Sequence, residues 1–93
     1  MVIGLLSATL SIPEAGSLKE KRSVIRSLKD RVRNHMNISV AEVGSQDKWR
    51  TADMAFVTVA TDRKTVDKRL SAVDSLLRRN PRHIVTDIHT ELF

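Results

Sequence analysis

From Val2 to Ile12 the chain alternates. Val2, Leu6, Ala8, Leu10 and Ile12 share one side with Gly4, and Ile3, Leu5, Ser7, Thr9 and Ser11 share the other. Period two predicts a strand. Pro13 ends it, and Glu14-Ala15-Gly16 makes a short loop. From Ser17 the period lengthens: Leu18, Val24, Ile25, Leu28, Val32 and Met36 fall on one face of a helix, with an exit at Asn34 to Asn37. Ser17 and Glu20 form an S-x-x-E capping box. In that motif the hydroxyl takes an orphan backbone N–H, and the carboxylate reaches back to the N–H of the cap residue.

The second half repeats the scheme. Ile38 to Val43 is a short β-branched run, and Gly44-Ser45-Gln46-Asp47 reads as a turn. A third strand runs from Trp49 or Thr51 to Ala60, with Phe56, Val57 and Val59 as its apolar heart, so the second and third strands form a hairpin. Thr61 or Asp62 caps a second helix with a stripe of Val66, Leu70, Val73, Leu76 and Leu77, stopped by Asn80-Pro81. In the last strand Ile84, Thr86, Ile88, Thr90 and Leu92 alternate with Val85, Asp87, His89 and Glu91. The order β-α-β-β-α-β over residues 1–93 predicts one α+β domain of ferredoxin-like type. It has an antiparallel four-stranded sheet, two helices on one face and an open second face. Ser7, Thr9, Ser11, Asp87, His89 and Glu91 fall on that open face, which is neutral to acidic.

Composition narrows the chemistry. Ninety-three residues suit one modest core, and a hydrophobic fraction of 41% is too high for a disordered chain. The absence of cysteine removes disulfides, thiolate metal sites and thiol nucleophiles. The apolar start, Met1 to Leu6, has no basic segment before it and is soon interrupted by Ser7, so it reads as neither signal peptide nor membrane span. Glycine occurs only at 4, 16 and 44, which leaves no glycine-rich phosphate loop.

Charge changes the picture more. Of the net +5, residues 17–36 carry seven basic and two acidic side chains, residues 62–82 carry seven and three, and the remainder two and six. The two helices are basic and the strands and loops acidic, which predicts a dipolar slab. A basic balance favours a polyanionic partner.

The chain resembles a known family at its first helix. Ser17-Leu18-Lys19-Glu20-Lys21-Arg22, placed after a strand ending in Ile12-Pro13, looks like the signature of the YlxP-like family of small bacterial proteins. Arg26-Ser27-Leu28-Lys29-Asp30-Arg31 and Val40-Ala41-Glu42-Val43, followed by Gln46, Asp47 and Trp49, extend the resemblance over essentially the whole chain. It implies a ferredoxin-like fold and a cytoplasmic bacterial protein, often encoded near translation and ribosome-maturation genes. The family carries no settled biochemical activity, so the resemblance leaves the function open.

Four features compete for that function. Lys19, Arg22, Arg26, Lys29 and Arg33 are spaced 3, 4, 3, 4 and span about 80° of the helical wheel beside the apolar face. Like charges at i,i+4, here Arg22–Arg26 and Lys29–Arg33, cost a few tenths of a kcal/mol per pair, about 0.2–0.5. Such a row suits phosphate contacts, with Lys21 and Arg31 auxiliary. The alternative is a solvated face neutralised by Asp67 or Asp74 of the second helix, and both readings stay open. Trp49 could stack a base or anchor a partner, but a tryptophan plugging the end of the core is favoured. Asp87, His89 and Glu91 could bind a metal or do acid–base work, but a wet strand face is the stronger reading. Ile3 and Leu5 on the open face form an apolar patch through which such sheets pair.

The first expectation is therefore a non-enzymatic RNA- or ribosome-associated module binding through the basic helix. The alternative is a protein-interaction domain or homodimer using the open sheet. No cofactor, metal, membrane or small-molecule substrate is expected.

Overall fold

Each periodic segment of the sequence becomes one element. A computed structural model describing residues 1–93 gives β1 (Val2–Ser11), α1 (Leu18–His35), β2 (Ser39–Gly44), β3 (Thr51–Ala60), α2 (Arg63–Arg79) and β4 (Ile84–Leu92). The sheet order is β2-β3-β1-β4 with every neighbour antiparallel. This is the split β-α-β arrangement, in which each helix carries the chain across one strand. Both caps form. Ser17 Oγ accepts from the Glu20 N–H at 3.1 Å, and Asp62 Oδ1 accepts from the Thr65 N–H at 2.8 Å. Glu20 reaches one residue further back than the capping-box motif predicts. Its carboxylate accepts from the Gly16 N–H at 2.8 Å and so ties the loop to the helix.

The core is one cluster of nineteen hydrophobic residues between the helices and one sheet face. Leu6, Ala8 and Leu10 of β1 and Ala52, Met54 and Phe56 of β3 supply its floor. Helix α2 lies so close to β1 that a Cβ at Gly4 would collide with Val66 and sit 3.0 Å from Leu70 Cδ1. Here glycine is needed for approach rather than for turn geometry. The hairpin between β2 and β3 turns at Ser45, whose φ of 58° is left-handed, although Gly44 precedes it.

Two register shifts redistribute side chains that strict alternation places otherwise. Thr9 pairs with Asp87 and Leu10 with Val85, which leaves Thr86 unpaired in a bulge. Beyond it the faces of β4 exchange. Val85 packs on the core, and Ile84, expected on the same side as Ile88, is 57% exposed. A second shift on β2 lies between Glu42 and Gly44 and leaves Val43 exposed. The apolar heart expected of β3 is also divided. Phe56 is buried, while Val57 and Val59 stand on the open face. No helix is long and apolar enough to cross a membrane.

Candidate nucleic-acid interface

Helix α1 buries Val24, Ile25, Leu28 and Val32, and with them Lys21, which is only 1% exposed. At helical spacing Lys21 falls among the apolar positions, one turn before Val24 and Ile25. Its ammonium lies 2.8 Å from Glu42 Oε2 on β2 and donates to the Ser45 carbonyl at 2.6 Å. A buried ammonium must find such partners, because an unpaired charge in low dielectric is costly. Glu42 Oε2 is buried with no hydrogen bond of its own, so the Lys21 charge is its sole compensation. Lys21 is therefore not an auxiliary phosphate contact. It is a tether joining α1 to β2 and to the left-handed turn at Ser45.

The other predicted cations stay outside. Lys19, Arg22, Arg26, Arg31 and Arg33 are exposed and Lys29 is half-buried. Arg22, Arg26, Lys29 and Arg33 come together along a groove of about 270 Å³, which Asp30 and Glu42 also line. Lys19 continues the row at the helix start, whereas Arg31 lies on the opposite flank, in the cleft between the two helices. No carboxylate lies within ion-pair distance of any stripe cation. The carboxylates proposed to neutralise them are engaged on α2 itself, Asp67 with Arg63 at 3.5 Å and Asp74 with Arg78 at 2.6 Å. Glu42, the carboxylate at the groove's β2 side, is already matched by Lys21 from below. The groove is thus a row of cations none of which is closed into an ion pair, with Asp30 standing among them unpaired.

The open sheet face has the opposite character. Asp53 accepts from Ser45 Oγ at 2.7 Å and from Thr9 Oγ1 at 2.9 Å, and these bonds hold its carboxyl below the usual carboxylate range. Asp87, His89 and Glu91 are exposed there, and His89 Nε2 lies 3.1 Å from Glu91 Oε1. No three imidazole or carboxylate side chains converge to hold a metal. One end of this face is apolar. Ile3 and Leu5, singled out in the sequence, are joined by Val57, Val59 and Phe93, which is held beside Ile3 by two backbone hydrogen bonds. The register of β1 against β3 could not be read from either strand alone, so the sequence pointed to only two of the five.

Trp49 is 52% exposed and does not plug the core, contrary to expectation. The chain next to it is pinned instead by Arg50, which donates to the Ala15 carbonyl at 3.1 Å. His83, not singled out in the sequence, is buried. Its Nε2 donates to the Leu77 carbonyl at 2.9 Å and its Nδ1 has no partner, and burial pushes its pKa below the ordinary value.

Comparison with known proteins agrees with this architecture. The family model described as "Protein of unknown function (DUF503)" matches residues 3–90. The "Uncharacterized protein YlxP" of Bacillus subtilis (strain 168) is 35% identical over 92 residues, covering 99% of this chain and all of the relative. Among solved structures, a de novo designed protein with ferredoxin fold, LFR1 1, aligns with a TM-score of 0.57 at 14% identity, over 98% of this chain and 88% of the other. The designed protein Foldit4 aligns with a TM-score of 0.55 at 8% identity, over 100% and 97%. At such identities the likeness is one of fold alone.

Proposed function

We propose that this chain, which belongs to the DUF503 family, is a non-enzymatic cytoplasmic module that binds structured RNA, such as that of the ribosome, through the α1 groove. The observation that carries this reading is that none of Lys19, Arg22, Arg26, Lys29 and Arg33 closes an ion pair within the chain. A helix that only needs solubility does better by mixing signs, since like charges one turn apart repel. Five unpaired cations in a row gain when condensed counter-ions are released from a phosphate backbone. The acidic residues of the open face favour contact on the helical side, and the lack of aromatic side chains on both helices makes that contact one of charge rather than of base stacking.

The test is binding to structured ribosomal RNA fragments across a salt series, with Arg22→Glu/Arg26→Glu in parallel. Each phosphate contact adds about 0.9 to the slope of log K on log salt, so five give roughly 4.5. Two lost contacts then cost about 100-fold near 0.1 M salt. Equal binding by wild type and variant, or no binding by either, would remove the proposal.

A second reading rests on the apolar end of the open face. Ile3, Leu5, Val57, Val59 and Phe93 form a patch that a second copy of this chain would cover. Sedimentation would then show a dimer that survives high salt and dissociates on Leu5→Lys. A salt-independent monomer removes this reading.

A further inference from the structure

We infer that the RNA recognised is double-stranded, with α1 lying along the shallow minor groove of an A-form helix and a basic track on each flank meeting one strand. The inference rests on the phosphate-binding reading of α1 and specifies the form of its ligand.

The first track is the groove of Arg22, Arg26, Lys29 and Arg33 on the β2 side. The second is a separate cleft of about 350 Å³ between the helices, where Arg31 and Ser27 of α1 face Arg79, Asn80 and Arg82. Arg79 uses its Nε on the Ser75 carbonyl, and none of the three arginines has a carboxylate partner. On the helical wheel the first track centres near 60° and Arg31 lies near 220°, taking Leu18 as zero at 100° per residue. Between them runs a third row of Ser23, Ser27, Asp30 and Asn34, at about 120–180°. All four are exposed. Long cations thus flank a crest of short hydroxyl, amide and carboxylate groups.

Two strands of phosphate on either side of a crest describe a duplex groove, whereas a single strand needs one track and a stacking platform. Neither helix supplies an aromatic side chain for stacking. The kind of groove follows from depth. Helices α1 and α2 pack on the same sheet face around one core and share the cleft of Arg31 and Arg79, so α2 obstructs the entry of α1 alone into a B-form major groove about 8.5 Å deep. The A-form minor groove is wide and shallow and presents 2′-hydroxyls at its surface, which serine, asparagine and aspartate side chains can meet as donors or acceptors. The crest lies on a cylinder about 10–12 Å across, so the flanking cations straddle it on both sides.

The experiment uses the full chain with an RNA duplex of about 16 base pairs, the DNA duplex of the same sequence and each RNA strand alone. The variants are Arg31→Glu/Arg82→Glu for the cleft and Arg22→Glu/Arg26→Glu for the groove, with Arg31→Gln/Arg82→Gln as a milder cleft variant and circular dichroism to check folding. The expected result is preferential binding of the RNA duplex, weakened about 100-fold near 0.1 M salt by either double charge reversal and less by the glutamine pair. Three results would overturn the inference while leaving the phosphate-binding reading intact: cleft variants that bind like wild type while the groove variant fails, single strands that bind as tightly as the duplex, or DNA that binds as well as RNA. If no nucleic acid binds, both readings fall together.

Discussion

The two helices carry seven and six cations and use them in opposite ways. On α2 most are spoken for. Arg63 and Arg78 pair with aspartates four residues away, Arg69 donates to Thr58 Oγ1 and to the Val59 carbonyl, and Arg79 donates to the Ser75 carbonyl. On α1 the one cation with a carboxylate partner is the one that cannot be seen from outside, Lys21. The difference arises from where the acids stand. Asp67 and Asp74 lie one turn from an arginine, whereas Glu20 is occupied by the Gly16 N–H at the cap and Asp30 stands in the groove without closing an ion pair. Helix α2 ties four of its six cations into its own aspartates or into nearby hydroxyl and carbonyl oxygens, and only Arg79, at its end, also faces the cleft. Helix α1 splits its charge between one buried tether and an unneutralised outer row, and that row is what makes it a candidate surface.

The contrast breaks first at Lys21. Lys21→Ala leaves Glu42 buried without its counter-ion, and losing one partner of a buried pair costs about 3 kcal/mol. For a domain of this size that lowers Tm by roughly 12–24 °C. The same variant leaves the Glu42 charge uncompensated beside the groove, so RNA affinity falls as well. Lys21→Met combined with Glu42→Leu should recover most of the stability in thermal melts, because removing both charges leaves neither unpaired. A Lys21→Ala protein as stable as wild type would show that the tether is not structural.

Next in size is Gly4→Ala, which pushes a methyl into Val66 and Leu70. Overpacking of this kind costs about 2 kcal/mol, measured by urea unfolding. Because it disturbs α2 and not α1, binding by the folded protein should be unchanged. The reverse separation is expected of Arg63→Glu/Arg78→Glu. Its effect on RNA affinity should stay under about tenfold, since these are exposed, paired charges away from the groove. A loss as large as that of Arg22→Glu/Arg26→Glu would erase the distinction between the helices.

The smallest effect is one of pH. His83 is held neutral by burial, with its folded pKa below 6.5. The unfolded chain therefore takes up the proton first. Stability is full above about 6.5 and is lost as pH falls from there through the folded value. His83→Gln should flatten that window in denaturant titrations, and a slope unchanged by the substitution would locate the dependence elsewhere. The lowered pKa of Asp53 acts in a separate window, below 3.8, and with the same sign.

Much of this is legible in the sequence alone. All six elements, the Ser17 cap, the proline and asparagine stops and the cationic row from Lys19 to Arg33 follow from spacing along the chain. The candidate groove was legible too, apart from Lys21. Helical spacing places Lys21 beside Val24 and Ile25, yet by its charge it reads as an auxiliary phosphate contact. Charge is the usual guide, because lysine is seldom buried unless paired, and its partners lie 21 and 24 residues away on another element.

That division has one physical cause. Helical and strand periods are properties of neighbouring residues and can be read locally. Pairing is not local. A single unpaired residue at Thr86 exchanges Ile84 with Val85 because side chains on a strand alternate with period two. The register of β1 against β3 gathers Val57 and Val59 beside Ile3 and Leu5. The approach of β2 to α1 gives Lys21 its carboxylate. The chain's own pattern thus settles which segments form and which residues can face outward. Packing between distant segments settles which charges are cancelled, and hence which surface of this protein remains positive.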